Sequence, residues 1–323
     1  MTTLNSAVII GGSHAAVQLV ISLRQNGWDG SITVVSDEPH LPYQRPPLSK
    51  AFLSDDSGEE QLALRTPAAY EKLDVSFKLG VSVTAIDTNN RSLSLDSGET
   101  LRFTKLALCT GARARTLPIP GAELQNVHYL RTMDDVKRIK QSAGQAKTAV
   151  IIGGGYIGLE TAASLTKLGV AVTVLEAESR LLQRVASETT SEFYLRLHQQ
   201  QGVSIKLNAQ ASALQGETAV THVACADGQT IDADMVIIGI GVIPNTELAS
   251  DAGLNVDNGI VVNEFAQTSH ADIVAAGDCT NHPNPLLNRS LRLESVPNAV
   301  EQAKAAAASL CDIEKPYAEL PWF

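Results

Sequence analysis

The chain has 323 residues, enough for two domains of ordinary size that each have a hydrophobic core. Apolar residues make up 44% and charged residues 19%, which is typical of a globular protein and excludes a disordered or fibrous chain. A net charge of -10 argues against general nucleic-acid binding, which needs a basic surface.

The first apolar run, from Ala7 to Leu23, is interrupted by glycines and polar residues and has no basic residue before it. This is not the pattern of a signal peptide. No stretch reaches the roughly 20 uninterrupted apolar residues that a membrane span needs. We therefore expect a cytoplasmic protein that makes no membrane contact.

The hexapeptide Ala-Val-Ile-Ile-Gly-Gly occurs twice, at Ala7–Gly12 and at Ala149–Gly154. In each copy a helical pattern follows the glycines, and a second apolar run comes next, at Ile32–Val35 and at Val172–Leu175. Strand, tight turn, helix and strand form the βαβ unit of a dinucleotide-binding fold. One such unit is common in α/β proteins, whereas two in one chain predict two nucleotide-binding domains.

Between the two copies, residues Val75 to Leu108 have the pattern of short strands, with turn signals at Asn89-Asn90 and Ser97-Gly98. Beyond them, the segment from Pro118 to Gly121 breaks regular structure and indicates a crossing between domains.

After the second copy, Asp227-Gly228 predicts a hairpin and Ile237–Pro244 a further strand. Two more strands are predicted at Ile260–Val262 and Ile273–Ala276, followed by an alanine-rich helix at about Asn298–Leu310.

The second glycine turn is the stronger nucleotide signal, since Gly153–Gly158 is a complete G-x-G-x-x-G between a strand and a helix. Gly153 allows the tight turn, Gly155 lets backbone N–H groups approach a pyrophosphate, and Gly158 lets helix and strand pack closely. The N-terminus of the helix then attracts the phosphates. We predict a dinucleotide here, with a turn that binds no ligand as the alternative.

Glu176 stands at the end of the next strand, where a carboxylate accepts the ribose hydroxyls of NAD. It repels the 2′-phosphate of NADP by on the order of 4 kcal/mol at about 4 Å and an effective dielectric constant of about 20. Arg180 and Arg184 are placed to weaken that repulsion, whereas Glu178 adds negative charge. We predict NAD rather than NADP.

The first turn, Gly11-Gly12-Ser13-His14-Ala15-Ala16, has serine at the second glycine position and alanine at the third. Alanine is an accepted substitute there, whereas Ser13 adds a Cβ where backbone should approach phosphate, although its hydroxyl can donate to that phosphate. Asp37 follows the next strand and can take a ribose hydroxyl. From this motif alone, a nucleotide and an empty turn both remain open. His14 either faces the phosphate or is a solvated loop histidine.

Four further segments carry motifs of their own. They are Pro42-Tyr-Gln-Arg-Pro-Pro-Leu-Ser-Lys50, Thr110–Ala112, Ala275–Asp278 and Leu293–Val296. Combined with the two glycine turns, these motifs resemble the ferredoxin reductase family of oxygenase systems, over essentially the whole chain. That family includes the putidaredoxin and rubredoxin reductases and the reductase components of aromatic-ring dioxygenases.

The resemblance implies an α/β fold of two Rossmann-like dinucleotide-binding domains with glutathione-reductase-like architecture. Residues 1–112 and 245–323 are expected to form an FAD-binding domain, and residues 113–244 an NAD-binding domain. Family members continue into a third domain of roughly a hundred residues, and we expect that domain to be missing here.

The resemblance also implies the roles of individual residues. Gly11, Ala15 and Asp37 are expected to hold the adenosine and pyrophosphate of FAD, Asp278 its ribityl chain or pyrophosphate, and the backbone of Val296 the flavin ring. Lys50 is expected to pair with Glu160 beside flavin N5 and the nicotinamide, which makes these two the candidate catalytic residues. Without the family, Lys50 would be interpreted as a surface lysine.

The full set of candidate residues follows from the motifs and the resemblance together. For FAD they are Gly11, Ser13, His14, Ala15, Asp37, Arg45, Lys50, Val83, Thr110, Gly111, Arg131, Gly277, Asp278, Glu294, Ser295, Val296 and Trp322. For NAD they are Gly153, Gly155, Tyr156, Ile157, Gly158, Glu160, Glu176, Ile240 and Gly241.

The four cysteines share no close spacing, which excludes a CxxC redox pair and a zinc ribbon. We expect four buried thiols and no metal site. They are Cys109, Cys225, Cys279 and Cys311.

The predicted activity is that of an FAD-dependent NADH:ferredoxin (or rubredoxin) oxidoreductase. Hydride passes from NADH to flavin N5, and single electrons then pass to an iron–sulfur or rubredoxin carrier that serves an oxygenase. An NADH oxidase or quinone reductase is one alternative. A redox-sensing flavoprotein, in which NADH binding changes conformation or partners, is another. The oligomeric state is open between a monomer and a weak dimer.

Ferredoxins are generally acidic, as is this chain, so docking of the carrier needs a local basic patch. The segment Arg113–Lys147 has seven basic residues against three acidic ones and is the candidate patch. For Lys137–Lys140, a solvated helix face is an equally good interpretation.

Overall fold

The computed structural model describes residues 5–55 and 58–317. The α-helices in these residues are α1 (His14–Gln25), α2 (Ala51–Ser54), α3 (Pro67–Lys72), α4 (Met133–Ala143), α5 (Tyr156–Lys167), α6 (Glu188–Gln200), α7 (Glu247–Asp251) and α8 (Val296–Leu310). Short 3₁₀ helices lie at Pro46–Ser49 and Glu59–Leu62.

The strands up to the second glycine turn are β1 (Ser6–Ile10), β2 (Ser31–Ser36), β3 (Val75–Leu79), β4 (Val83–Asp87), β5 (Ser92–Leu95), β6 (Thr100–Arg102), β7 (Lys105–Leu108), β8 (Ala112–Ala114), β9 (Val127–Tyr129) and β10 (Thr148–Ile152). Those that follow are β11 (Ala171–Leu175), β12 (Ser204–Lys206), β13 (Ala211–Gln215), β14 (His222–Cys225), β15 (Thr230–Asp232), β16 (Met235–Ile238), β17 (Val242–Pro244), β18 (Ile260–Val261), β19 (Ile273–Ala275), β20 (Thr280–Asn284) and β21 (Arg289–Leu291).

The chain divides into two compact units. The first takes its residues from Met1–Gln44, Ala63–Arg113 and Pro244–Phe323, and the second from Arg45–Leu62 and Ala114–Ile243. The segment Arg45–Leu62, which we call the strap, is therefore inserted between residues of the first unit but packs with the second. Which nucleotide each unit binds stays a prediction from the sequence.

The first unit is built on a parallel sheet with strand order β19-β7-β1-β2-β3. Its central strand β1 pairs with β2 on one side and β7 on the other. Alanines of α8 and apolar residues of α1 share one hydrophobic core against the sheet. The small side chains of α8 let that helix pack closely, which explains why an alanine-rich sequence is buried here.

The second unit repeats this plan with strand order β12-β11-β10-β16-β9, again parallel. β10, the strand before the second glycine turn, holds the position that β1 holds in the first unit. Both strands are almost wholly buried apolar runs, as expected for parallel strands in the middle of a sheet. The repeated hexapeptide therefore marks the centre of each sheet.

Small antiparallel sheets accompany the large ones, and they confirm the predicted turns. Asn89-Asn90 joins β4 to β5, Ser97-Gly98 joins β5 to β6, and Asp227-Gly228 joins β14 to β15. The prediction of one strand over Ile237–Pro244 is wrong, because β16 ends at Ile238 and β17 begins at Val242. Gly241 lies between them with φ +98°, a backbone angle that ends the extended run.

Arg24, at the end of α1, organises the loops at one end of the first unit. Its guanidinium donates to the carbonyl oxygens of Leu73 and Asp74, each at 2.8 Å, and to those of Trp28 and Gly30 at 2.7 and 2.8 Å. The planar guanidinium of arginine has five N–H donors in fixed positions and can therefore bond several carbonyl oxygens at once. One partly buried cation thus donates to four carbonyl groups.

We expect Arg24→Ala to lower the free energy of unfolding by roughly 2–3 kcal/mol, because several backbone acceptors lose a charged donor at once. Thermal unfolding followed by circular dichroism measures the change. Arg196→Ala is the control, since Arg196 is largely exposed and makes one ion pair, with Glu192 at 3.8 Å. Equal melting temperatures for the two variants would contradict this role of Arg24.

Candidate functional site

The glycine turn of the second unit joins β10 to α5. Gly153 has φ +115°, and a Cβ there would meet the Gly239 carbonyl oxygen at 2.4 Å. At Gly158 a Cβ would meet the Gly153 oxygen at 2.0 Å. At Gly155, by contrast, a Cβ would find no atom within 4 Å. The fold itself requires glycine at Gly153 and Gly158, whereas Gly155 leaves open space before the N-terminus of the helix, which attracts anions.

Glu176 lies against this turn. One carboxylate oxygen, Oε2, accepts from the Gly154 N–H at 2.7 Å, and Oε1 accepts from the Glu178 N–H at 2.9 Å. Each oxygen keeps a further lone pair for a ribose hydroxyl. The carboxylate is therefore oriented toward the turn before any ligand arrives.

The two arginines near Glu176 differ in their contacts. Arg180 donates to the carbonyl oxygens of Ala186 and Gln183 and to Ser191 Oγ, each at 2.8 Å. These bonds hold the Arg180 guanidinium on neutral acceptors of the protein, and its weakening of the repulsion of a 2′-phosphate stays a prediction. Arg184 Nη2 lies beside Gly241, 3.6 Å from where a Cβ would be.

Lys50 and Glu160 form an ion pair within the second unit, with 2.7 Å between Nζ and Oε2. Lys50 also donates to the Pro46 oxygen at 3.2 Å, and the Ser49 hydroxyl donates to the same Glu160 Oε2 at 2.6 Å. Ser164, one turn after Glu160 on α5, donates to the Ser49 oxygen at 2.7 Å. The motifs had not singled out Ser49 or Ser164 for a role of their own.

The rest of the strap is held in the same unit by basic side chains. Arg45 Nη1 donates to the Arg131 oxygen at 2.9 Å. Lys140 of α4 donates to the oxygens of Phe52 and Asp55, and Lys167 of α5 pairs with the Asp55 carboxylate. Two candidate FAD residues, Arg45 and Arg131, are thus brought together.

In the first unit, Gly11 has φ +108°, and a Cβ there would overlap the Cys109 oxygen at 2.1 Å. Ser13 is the N-cap residue of α1, but its side chain makes no capping hydrogen bond, and His14 begins the helix. Asp37 follows β2 and is exposed. The first turn therefore repeats the positive φ angle that Gly153 has in the second unit, despite the serine.

Two further turns of this unit are fixed by side chains that the sequence did not reveal. Asn245 accepts from Thr110 Oγ1 through its backbone oxygen at 2.6 Å and donates from Nδ2 to the Thr110 oxygen at 2.8 Å. Gln302 Oε1 accepts from the Gly277 N–H and from Thr280 Oγ1, both at 2.8 Å. These bonds set the turns at Thr110-Gly111 and Gly277-Asp278.

Several buried polar atoms near Gly277-Asp278 have no hydrogen-bond partner among the described residues. They include Gln302 Nε2 and Arg292 Nε. Arg292 also donates to the Asp278 oxygen at 3.4 Å and pairs with Glu294 at 2.7 Å. Buried donors left unpaired cost free energy, so their presence fits a site that receives the polar chain and phosphates of FAD.

The remaining candidate residues fall at the ends of elements. Val83 begins β4, and Val296 begins α8, whose N-cap Ser295 accepts from the Asn298 N–H at 3.3 Å. Ile240 lies just beyond β16, and Tyr156 and Ile157 are exposed in the first turn of α5. Trp322 lies outside the described residues.

The cysteines differ in part from expectation. Cys109, Cys225 and Cys279 are buried, whereas Cys311 at the end of α8 is partly exposed. Across the described ranges, no group of three or more potential ligands is arranged to hold a metal ion. In the same residues, no helix combines the length and apolarity needed to cross a bilayer.

The basic segment has less free charge than its sequence indicates, because most of its cations have acidic or carbonyl partners. The ion pairs are Arg113 with Glu247 at 2.7 Å, Lys137 with Glu59 at 2.8 Å, and Arg138 with Asp135 at 2.5 Å. Lys140 is bonded to the strap, as described above. Acidic partners therefore offset the positive charge of Arg113, Lys137 and Arg138 within the candidate patch.

Residues 5–303 match the family described as pyridine nucleotide-disulphide oxidoreductase. Putidaredoxin reductase of Pseudomonas putida is 43% identical over 100% of this chain and 78% of its own length. Rubredoxin-NAD(+) reductase of the same organism is 38% identical over 98% and 82%. The chain belongs to the pyridine nucleotide-disulphide oxidoreductase family, and within it to the ferredoxin reductases.

Solved structures agree with this assignment. The covalent putidaredoxin reductase–putidaredoxin complex is similar with a TM-score of 0.94 and 43% identity, covering 99% of this chain and 78% of that one. A ferredoxin reductase from Rhodopseudomonas palustris has a TM-score of 0.96 and 38% identity, covering 99% and 79%. The resemblance and the α/β fold class predicted from the sequence are confirmed.

His282, on β20, is buried with both ring nitrogens unpaired among the described residues, and it packs edge-on against Tyr317 at 5.1 Å between ring centroids. Burial lowers the pKa of His282 to about 4. The unfolded chain binds a proton at this histidine below about pH 6.5, whereas the folded chain does so only near pH 4. Stability is therefore lost as the pH falls through this window.

We expect His282→Phe to reduce the fall in melting temperature between pH 6.5 and 4. Thermal unfolding at several pH values tests this. His222→Gln serves as the comparison, because the His222 side chain is about half exposed and not buried, so its replacement should change the slope less. Parallel curves for wild type and His282→Phe would show that another group governs acid stability.

Proposed function

We propose that this chain is a cytoplasmic, FAD-dependent NADH:ferredoxin or rubredoxin oxidoreductase that supplies electrons to an oxygenase. The observation that carries the proposal is the pair of glycine turns, each at the centre of its own parallel sheet. Its named relatives, putidaredoxin reductase and rubredoxin-NAD(+) reductase, support the acceptor class.

In the first unit, FAD is assigned to the turn at Gly11, the ribose acceptor Asp37, and the loops at Thr110-Gly111 and Gly277-Asp278. Near Gly277-Asp278, Arg292 Nε and Gln302 Nε2 are buried donors without a partner among the described residues. When bound, the flavin provides chemistry that accepts a hydride and releases single electrons. The protein's part is to bind it and to fix its orientation.

In the second unit, NADH is assigned to the turn at Gly153–Gly158. The open space at Gly155 admits the pyrophosphate, and the oriented Glu176 carboxylate takes the adenosine ribose hydroxyls. Glu176 repels a 2′-phosphate, and Arg180 is hydrogen-bonded to Ala186, Gln183 and Ser191, which holds its guanidinium in place. The site therefore prefers NADH to NADPH.

Lys50 and Glu160 are assigned the catalytic role. The ammonium of Lys50 is fixed by the carboxylate and by the Pro46 oxygen, so a positive charge stands ready without reorganisation. Fixed charge stabilises negative charge that develops during a reaction more effectively than mobile water does. We infer that this cation favours the transfer of hydride from NADH.

The activity is tested with the purified, FAD-loaded protein under anaerobic conditions. NADH, and not NADPH, should bleach the flavin absorbance, and a ferredoxin or rubredoxin should then be reduced faster than oxygen is consumed in air. Fast oxygen or quinone reduction without carrier turnover would instead indicate an oxidase. Bleaching with no turnover by any acceptor would indicate a sensor, and absence of FAD binding would refute the proposal.

A matched pair of substitutions separates the ligand's requirement for glycine from that of the fold. Gly155→Ala should leave the melting temperature unchanged, because its Cβ meets no protein atom, but raise the KM for NADH by about tenfold or more, because the methyl group occupies phosphate space. Gly158→Ala should lower the melting temperature, because its Cβ overlaps the Gly153 oxygen. Unchanged NADH kinetics in Gly155→Ala would place the pyrophosphate elsewhere.

A further inference from the structure

Ser49 is a buried serine at the end of the 3₁₀ helix Pro46–Ser49, with 2% of its surface exposed. The helix begins with Pro46 and Pro47, whose rings fix the backbone φ angle. The Lys50 N–H donates to the Pro47 oxygen at 3.0 Å, which continues the turn through the next residue. The backbone around Ser49 is thus held in one conformation.

Helix α5 contacts Ser49 at two points on one face. Glu160 and Ser164 are four residues apart and therefore lie one above the other. Ser164 Oγ donates to the Ser49 carbonyl oxygen at 2.7 Å, and Ser49 Oγ donates to Glu160 Oε2 at 2.6 Å. The main chain and the side chain of Ser49 are both bonded to the same helix.

The Glu160–Lys50 pair would be loosely held without this serine. The Lys50 side chain is 51% exposed and that of Glu160 is 29% exposed. An ion pair in contact with water contributes little stability and leaves two long side chains mobile. A short, buried hydroxyl that donates to a carboxylate has few alternative positions, and hydrogen bonds to a charged acceptor are the stronger kind.

We propose that Ser49 is a positioning residue for hydride transfer. Its hydroxyl fixes the Glu160 carboxylate, and the carboxylate in turn fixes the Lys50 ammonium, which donates to the same oxygen. Ser49 therefore acts through Glu160 and touches neither nucleotide. This inference rests on the proposed function, in which Lys50 and Glu160 assist the transfer from NADH.

The test measures flavin reduction by NADH in FAD-loaded protein, by anaerobic stopped-flow absorbance over a range of NADH concentrations. Ser49→Ala should lower the limiting rate constant about tenfold while changing the apparent NADH affinity by less than about threefold, because the substrate's own binding contacts remain. Ser49→Thr keeps the hydroxyl and should recover most of the rate. Ser22→Ala is the control, since Ser22 is an equally buried serine on α1 of the first unit.

A double-mutant cycle with Glu160→Ala distinguishes positioning from general damage. If Ser49 acts through Glu160, Ser49→Ala causes no further loss of rate in the Glu160→Ala background. The same fold loss in both backgrounds, or a loss equal to that of Ser22→Ala, would overturn the inference. Wild-type protein that binds FAD but is not reduced by NADH would instead overturn the proposed function.

Discussion

At two places in this chain, the turn after the central strand of a sheet lies too close to the end of a neighbouring strand for a side chain to fit. In the second unit, a Cβ at Gly153 would lie 2.4 Å from the oxygen of Gly239, just after β16. In the first, a Cβ at Gly11 would lie 2.1 Å from the oxygen of Cys109, just after β7. Each turn leads into the N-terminus of a helix, α5 or α1, where anions are attracted. The other contacts of both candidate nucleotide sites are arranged around these two turns.

The contacts around each turn show how a sheet brings distant residues together. In a parallel sheet the carboxyl ends of neighbouring strands meet at one edge, and loops that bind ligands gather there. Glu176 follows β11, Ile240 follows β16, and the glycines follow β10. In the first unit, the loops after β1, β2, β7 and β19 hold the corresponding positions. The second copy of the hexapeptide is thus accompanied by the same arrangement of strands and loops as the first.

The two glycine turns and their flanking elements could be predicted from the sequence because the residues that form them are close along the chain. A glycine turn, its strand and its helix are contiguous, so spacing alone predicts them, and the centre of each sheet follows. The role of a charged or polar residue could not be predicted where its bonding partner lies far along the chain. Arg180 is a nearby cation by sequence, yet its guanidinium donates to Ala186, Gln183 and Ser191. The basic segment has a positive sum, yet Glu59 and Glu247 offset part of it. Ser49, Asn245 and Gln302 have no local pattern, since a polar residue gains its role only when folding supplies its partner.

The strap determines which fragments of the protein can keep the contacts of the second unit. The polypeptide passes from one compact unit to the other four times, at 44–45, 62–63, 113–114 and 243–244. A fragment made of residues 114–243 would omit the strap and with it Lys50, leaving Glu160 and Ser164 of α5 without the groups that they bond. Neither half of this reductase is therefore a continuous stretch of gene, and recombination that exchanges one nucleotide-binding half between relatives must carry two separate segments together.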